Sequence, residues 1–101
     1  MDRSEVWWAD LPPPVGRRPV LILTRSAAGN QVVVAQITTT AHHLPCEVEL
    51  KRADGMPRDC VVNCDVLLTV PKARLTSRIL RLPPQRMNQV HQALKFALEI
   101  P

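Results

Sequence analysis

Gln31-Val-Val-Val-Ala-Gln-Ile-Thr-Thr-Thr40 is the stretch on which the fold turns. It is β-branched over most of its length, and such side chains are stiff and suit a pleated surface better than a helix. A strand over 31–40 follows. Just upstream, Pro19–Thr24 (PVLILT) is a continuous apolar run of the length of a buried strand, and Arg25–Asn30 (RSAAGN) reads as the turn between the two. Further back, Glu5–Leu11 (EVWWADL) reads as a strand that Pro12–Gly16 ends. Downstream, Glu47–Leu50 (EVEL) alternates like a short exposed strand, and Arg52–Arg58, with its Asp-Gly and Pro, is a loop. Asp59–Val70 (DCVVNCDVLLTV) holds one or two strands around the polar Asn63–Asp65, and Ser77–Leu82 (SRILRL) alternates again.

One helix closes the order. Pro83-Pro84 opens it, since a first-turn proline lacks only an N–H that would have no partner there. From Gln85 to Leu98 the residues Met87, Val90, Leu94, Ala97 and Leu98 recur at helical spacing, with Ala93, Phe96 and Ile100 as a second apolar strip that suits contact with a second subunit. Five or six strands and one C-terminal helix, without βαβ alternation, predict a mainly β fold: a small, strongly curved antiparallel sheet or barrel with a terminal helix.

Composition sets the limits. The 101 residues suit one domain, 1–101, and 46% hydrophobic residues suit a packed core. No apolar stretch approaches the ~20 residues of a membrane span. The first residues lack the pattern of a secretory signal, and three cysteines is an odd number, so a reducing cytoplasmic setting without membrane is expected. Charge is uneven. The net charge is +4, and after Asp65 the cations Lys72, Arg74, Arg78, Arg81, Arg86 and Lys95 face only Glu99. Such a basic surface suits a polyanion, nucleic acid before membrane; a plain solvated face is the alternative.

Several clusters carry possible chemistry. Arg17-Arg18 stand after Gly16 at the mouth of a buried strand, as phosphate donors or as surface residues of a turn; Pro19 holds the backbone of Arg18 extended. Thr38, Thr39 and Thr40 end the long strand, where hydroxyls can bind phosphate or sugar oxygens, or simply favour the strand. His42, His43, Cys46, Cys60 and Cys64 suggest zinc, but a strand from Cys60 to Cys64 spans about 13 Å, too far for two ligands each ~2.3 Å from one metal. Buried thiols are the better reading, with no metal or cofactor; His42 and His43 serve in acid–base chemistry or, the more common case for loop residues, are only solvated. Asn63-Cys64-Asp65 beside Lys72 and Arg74 offers a proton acceptor, a base-reading contact or an ion pair. Trp7 and Trp8 point to opposite faces: one is core, and the other stacks on a base or meets a second subunit.

Together these residues resemble a family. EVWWADL, VGRRPVLIL, VVVAQITTT, EVEL, DCVVNCDVLLTVPKARL and RILRLPPQRMNQVHQALKFAL, in this order from about Ser4 to Leu98, are similar to the MazF/PemK toxins of bacterial toxin–antitoxin systems. The resemblance implies a small SH3-like (CcdB/PemK-type) antiparallel barrel that forms a homodimer. It implies a metal-independent endoribonuclease that cuts single-stranded RNA at short sequences, leaves 2′,3′-cyclic phosphate and 5′-hydroxyl ends, and arrests translation. A MazE-like antitoxin would lie in the same groove. The family's catalytic arginine falls on Arg18 and its catalytic threonine on Thr38. Arg17, Thr39, Thr40, His42, Asp65 and Lys72 are the further RNA-binding candidates. Some relatives use an aspartate where Asp65 stands, with an arginine where this chain has Asn63. The loop before Arg17 is shorter and richer in proline than the family's, which implies a more open groove. Two rival readings are a gyrase poison of the same fold, acting by protein contact, and an RNA-binding module without cleavage.

Overall fold

The computed structural model describes residues 1–25 and 29–101. The centre of the turn expected over Arg25–Asn30 lies outside the described residues. The elements run β1 (Glu5–Asp10), β2 (Arg17–Ile22), β3 (Gln31–Thr38), β4 (Glu47–Leu50), β5 (Cys60–Pro71), β6 (Leu75–Arg81) and α1 (Pro84–Leu98), with single 3₁₀ turns at 52–54 and 72–74. The strands form one antiparallel sheet in the order β4-β5-β3-β2-β1-β6. Because β4 and β6 are its two edges, the barrel expected from the sequence is a half-barrel.

Both faces of the sheet are covered at its centre. Leu21, Ala35, Ile37, Val48, Leu50 and Val62 pack with Met87, Val90 and Ala93 of α1. The alternate residues Val20, Ile22, Val32 and Val34 pack on the other face with Ala9, Leu11, Val70 and Leu75. A strand covered on both faces has no polar side to show, which is why β2 reads as an unbroken apolar run.

The observed limits differ from the expected ones for identifiable reasons. Strand β2 starts at Arg17, because Arg17 and Arg18 pair with Asp10 and Ala9 of β1. Leu11 leaves β1: its N–H donates to the carbonyl of Gly16 at 3.0 Å, and Gly16 closes the loop at φ 68, a conformation that favours glycine. Strand β3 ends at Thr38 rather than Thr40, since the Thr40 N–H turns back to Thr38 Oγ1 at 3.2 Å. β5 is one strand, not two. Its pairing to β3 jumps from Leu67↔Ala35 to Asn63↔Gln36, so Cys64, Asp65 and Val66 form a bulge. Strand β6 starts at Leu75 rather than Ser77. On α1, Ala93 belongs to the core strip and not to the second one, whereas Leu98 is exposed with Phe96 and Ile100.

The β1–β6 seam contains a charged group that sequence patterning missed. Glu5 is buried, and burial by itself raises its carboxyl pKa. Hydrogen bonds from the Asp2 N–H (2.8 Å), Trp7 Nε1 (3.1 Å) and Arg81 (3.3 Å) outweigh that and hold it at about 2; Arg78 Nη1 donates as well, at 3.0 Å. With the folded pKa below the ordinary value of 4.5, the stabilisation is complete above about pH 4.5 and fades as pH falls towards 2. Glu5→Gln is therefore expected to cost about 1–3 kcal/mol at neutral pH. Urea unfolding at pH 7 and at pH 3 checks this: the gap to the parent chain narrows at the lower pH, and a pH-independent gap would contradict the assignment.

Candidate active site

Arg18 and Thr38 lie on neighbouring strands, at the same end of the sheet. β2 and β3 pair through Val20↔Gln36, Leu21↔Ala35 and Ile22↔Val34. Continued by two residues, that register sets Arg18 opposite Thr38. The main-chain pairing itself stops earlier, and Pro19 is the cause. The Leu23 N–H donates to the Val33 carbonyl at 2.9 Å, so every second residue back along β2 directs its N–H at β3. At position 19 there is no N–H to give.

A side-chain bond spans the strands there instead. Arg18 Nη1 donates to Gln36 Oε1 at 3.0 Å. Gln36 and Thr38 share one face of β3. Asn63 of β5 lies directly across from Gln36, so Arg18, Gln36 and Asn63 form a polar row over three adjacent strands. Arg18 and Thr38 are both half-buried. The oxygen of the Thr38 hydroxyl accepts the Thr40 N–H, which leaves its own proton for another acceptor. One edge of the Arg18 guanidinium is fixed on Gln36, and among the described residues its other N–H groups remain available to an anion.

Arg17 points to the opposite face. Its guanidinium lies 4.4 Å from the centre of the Trp8 ring, a cation–π contact. Trp8 lines a cleft of about 230 Å³ together with Pro19, Ile37, Thr38, Thr39, Met56, Pro57, Arg58 and Cys60. A second cleft of about 180 Å³ shares Thr39 and Cys60 with it and adds Glu49, Lys51 and Asp59. The two tryptophans do divide between the faces. Trp7 packs against the core on the Val20 side, and Trp8 is the one at the cleft.

Thr39 and Thr40 are exposed at the end of β3. His42 is in the following loop, which Glu47 organises: its Oε1 accepts the N–H groups of His42 (2.9 Å) and Leu44 (3.2 Å). Burial raises the Glu47 carboxyl pKa, but these hydrogen bonds outweigh it and leave the pKa lowered. Asp65 is exposed on the β5 bulge, and its N–H donates to Asn63 Oδ1 at 2.9 Å, so it adjoins the polar row. Lys72 does not join them within this chain. Its N–H donates to the Asn30 carbonyl at 2.8 Å, at the end of β3 away from Thr38. The expected grouping of Asp65 with Lys72 and Arg74 is thus corrected, because the upper half of β5 separates them. Cys46, Cys60 and Cys64 are all buried, and burial pushes the last two thiols up to about 11.

The residues that sequence reasoning did not single out are Gln36, Met56, Pro57 and Arg58. Gln36 carried a signal, as an isolated polar residue on an otherwise apolar strand. The Met56–Arg58 loop carried none.

The chain matches the family model described as PemK-like, MazF-like toxin of type II toxin–antitoxin system over residues 2–98. It belongs to this toxin family. Among its relatives, the probable endoribonuclease MazF2 of Mycobacterium tuberculosis is 40% identical over 99 residues, 94% of this chain and 95% of the relative. The solved structure of the M. tuberculosis toxin MazF-mt6 superposes with a TM-score of 0.88 at 32% identity, covering 96% and 98% of the two chains. An endoribonuclease from a mycobacterial species, solved in complex with its cognate antitoxin, gives 0.89 at 30% identity, covering 100% and 97%. The half-barrel with its C-terminal helix is thus the fold of the PemK/MazF toxins. No helix among the described residues is long and apolar enough to cross a membrane.

Proposed function

We propose that this chain is the toxin of a type II toxin–antitoxin pair, an endoribonuclease that cleaves single-stranded RNA at short sequences without a metal ion. The observation that carries the reading is the Arg18 guanidinium, fixed on Gln36 at the position facing Thr38. In this reaction the RNA supplies its own nucleophile. The 2′-hydroxyl loses its proton to a base and attacks the adjacent phosphorus. The bond to the 5′-oxygen breaks, and that oxygen takes up a proton, which leaves a 2′,3′-cyclic phosphate and a 5′-hydroxyl. Because the nucleophile is tethered, the protein's task is to orient the chain and stabilise charge on the phosphoryl oxygens. Arg18 supplies fixed positive charge, and Thr38 donates its hydroxyl proton to a non-bridging oxygen. The proton acceptor is proposed among Asp65, on the bulge beside Asn63, a histidine and a bound water.

Arg17, Thr39, Thr40, His42 and Lys72 are proposed as further RNA contacts. The proposed assembly is a homodimer working in the cytoplasm, with Lys72 reaching RNA away from the Thr38 end and the antitoxin covering the groove. The deciding experiment incubates purified protein with a long RNA in EDTA and maps the ends. Site-specific cuts with 5′-hydroxyl ends are expected. Intact RNA would reject the reading, whether the protein merely retains RNA in a salt-sensitive way or damages DNA through gyrase.

Gln36→Ala gives a narrower expected result. Removing the anchor of Arg18 should lower kcat roughly tenfold, the worth of one hydrogen bond, with KM and the unfolding midpoint little changed. Single-turnover rates and a thermal melt check this, and an unchanged kcat would show that Arg18 needs no anchor.

A further inference from the structure

The cleft bounded by Trp8 adjoins Thr38. Its walls are mostly apolar: Trp8, Pro19, Ile37, Met56, Pro57 and Cys60, with Thr38, Thr39 and Arg58 as the polar members. A concave, largely apolar space with a few polar groups suits a flat ligand that is stacked and then oriented. Pro19 and Pro57 add no backbone donor that a ligand would have to satisfy. Trp8 is only half-buried although it lies in the middle of β1. The Arg17 guanidinium over its ring steadies the indole and brings positive charge to the rim.

The cleft is continuous with the active site through one residue. Thr38 lines it, yet by strand alternation shares the face of Gln36 and Arg18. The Pro19–Ile37 face carries the cleft and the other face carries Arg18. A nucleotide whose phosphate meets Arg18 and Thr38 can therefore send a base over the rim of the sheet onto Trp8.

We propose that this cleft receives one unpaired nucleobase adjacent to the cut, that Trp8 is its stacking platform, and that Trp8 with Met56 and Pro57 sets the base preference at that position. The inference rests on the ribonuclease reading above. An antitoxin side chain is the rival occupant. Arg17 and Arg58 border the cleft, and Thr38, a proposed contact of the scissile phosphate, forms part of its wall, so a base comes within reach whenever the phosphate is bound; the measurements below separate the two occupants.

Two measurements test it. The first compares cleavage of a randomised RNA pool by the parent chain, Trp8→Phe and Trp8→Leu, with the cut ends sequenced. Base–aromatic stacking is worth enough that Trp8→Leu should lose roughly tenfold of its discrimination at one position beside the cut, while preferences elsewhere persist and Trp8→Phe retains most of it. A uniform fall in rate with an unchanged preference, or a loss confined to antitoxin affinity, overturns the proposal. The second needs no variant and no turnover. The parent chain is photocrosslinked to RNA carrying 4-thiouridine beside the cut position, with 2′-deoxyribose at the cut. Crosslinks within Trp8–Asp10 or Met56–Arg58 are expected, and crosslinks only elsewhere overturn it. If the parent chain binds RNA without cutting any sequence, the ribonuclease reading falls alone, and crosslinks scanned along the RNA still decide the cleft.

Discussion

Arg18→Ala is expected to fold and to lose RNA cleavage by a factor of ~10²–10³, the usual cost of removing one well-aimed donor from a site of developing negative charge. The reason is local. Arg18 is half-buried at the start of β2, and among the described residues its side chain is tied to Gln36. The sheet core lies further along the strand, at Val20, Leu21 and Ile22. Removing the guanidinium therefore leaves the packing intact while the phosphoryl oxygens lose their fixed cation. Circular dichroism and thermal melting report the fold; initial rates on a fluorogenic RNA report the chemistry. Arg18→Lys restores the charge but not the planar fork of donors, so a partial recovery is expected. A folded Arg18→Ala chain that turns RNA over at the parent rate removes Arg18 from the mechanism.

The second large effect belongs to the hydroxyl of Thr38. Thr38→Val keeps shape and β-branching but cannot donate, and a loss of ~10² in kcat is expected, within the range for a transition-state donor. Thr38→Ser keeps the hydroxyl and should retain most of the rate. The Thr38 hydroxyl also accepts the Thr40 N–H that ends β3, so circular dichroism and thermal melting of both variants accompany the rates. A Thr38→Val chain that cleaves RNA at the parent rate would leave the hydroxyl no direct part, and a Thr38→Ser chain as slow as Thr38→Val would show that the methyl group is needed as well.

Much of this arrangement was legible in the sequence, for reasons that can be traced. β3 was readable because β-branched residues crowd it, and the single helix because its first turn carries prolines and its core-facing residues keep helical spacing. Arg18 and Thr38 entered through a family resemblance, since neither arginine before proline nor a run of threonines says much alone. What stayed hidden depends on register. That Gln36 meets Arg18, that Asn63 faces Gln36, and that Asp65 sits on a three-residue bulge away from Lys72 are facts about which residues lie across from which. A one-residue slip would change all of them without altering any strand's own pattern. Glu5 was hidden for a related reason: its partners Arg78 and Arg81 lie more than seventy positions away along the chain.

The proline at position 19 has a further effect on how such a protein can diversify. Because it stops the backbone ladder between β2 and β3 one step short, the gap between these two strands beside Arg18 is bridged by a side-chain contact, while β1 still pairs with Arg18 on the other side. Contacts of that kind can be exchanged one at a time, whereas a ladder resists piecemeal change. The same scaffold can thus acquire new tastes in sequence at its lip while the folding of its interior is left undisturbed.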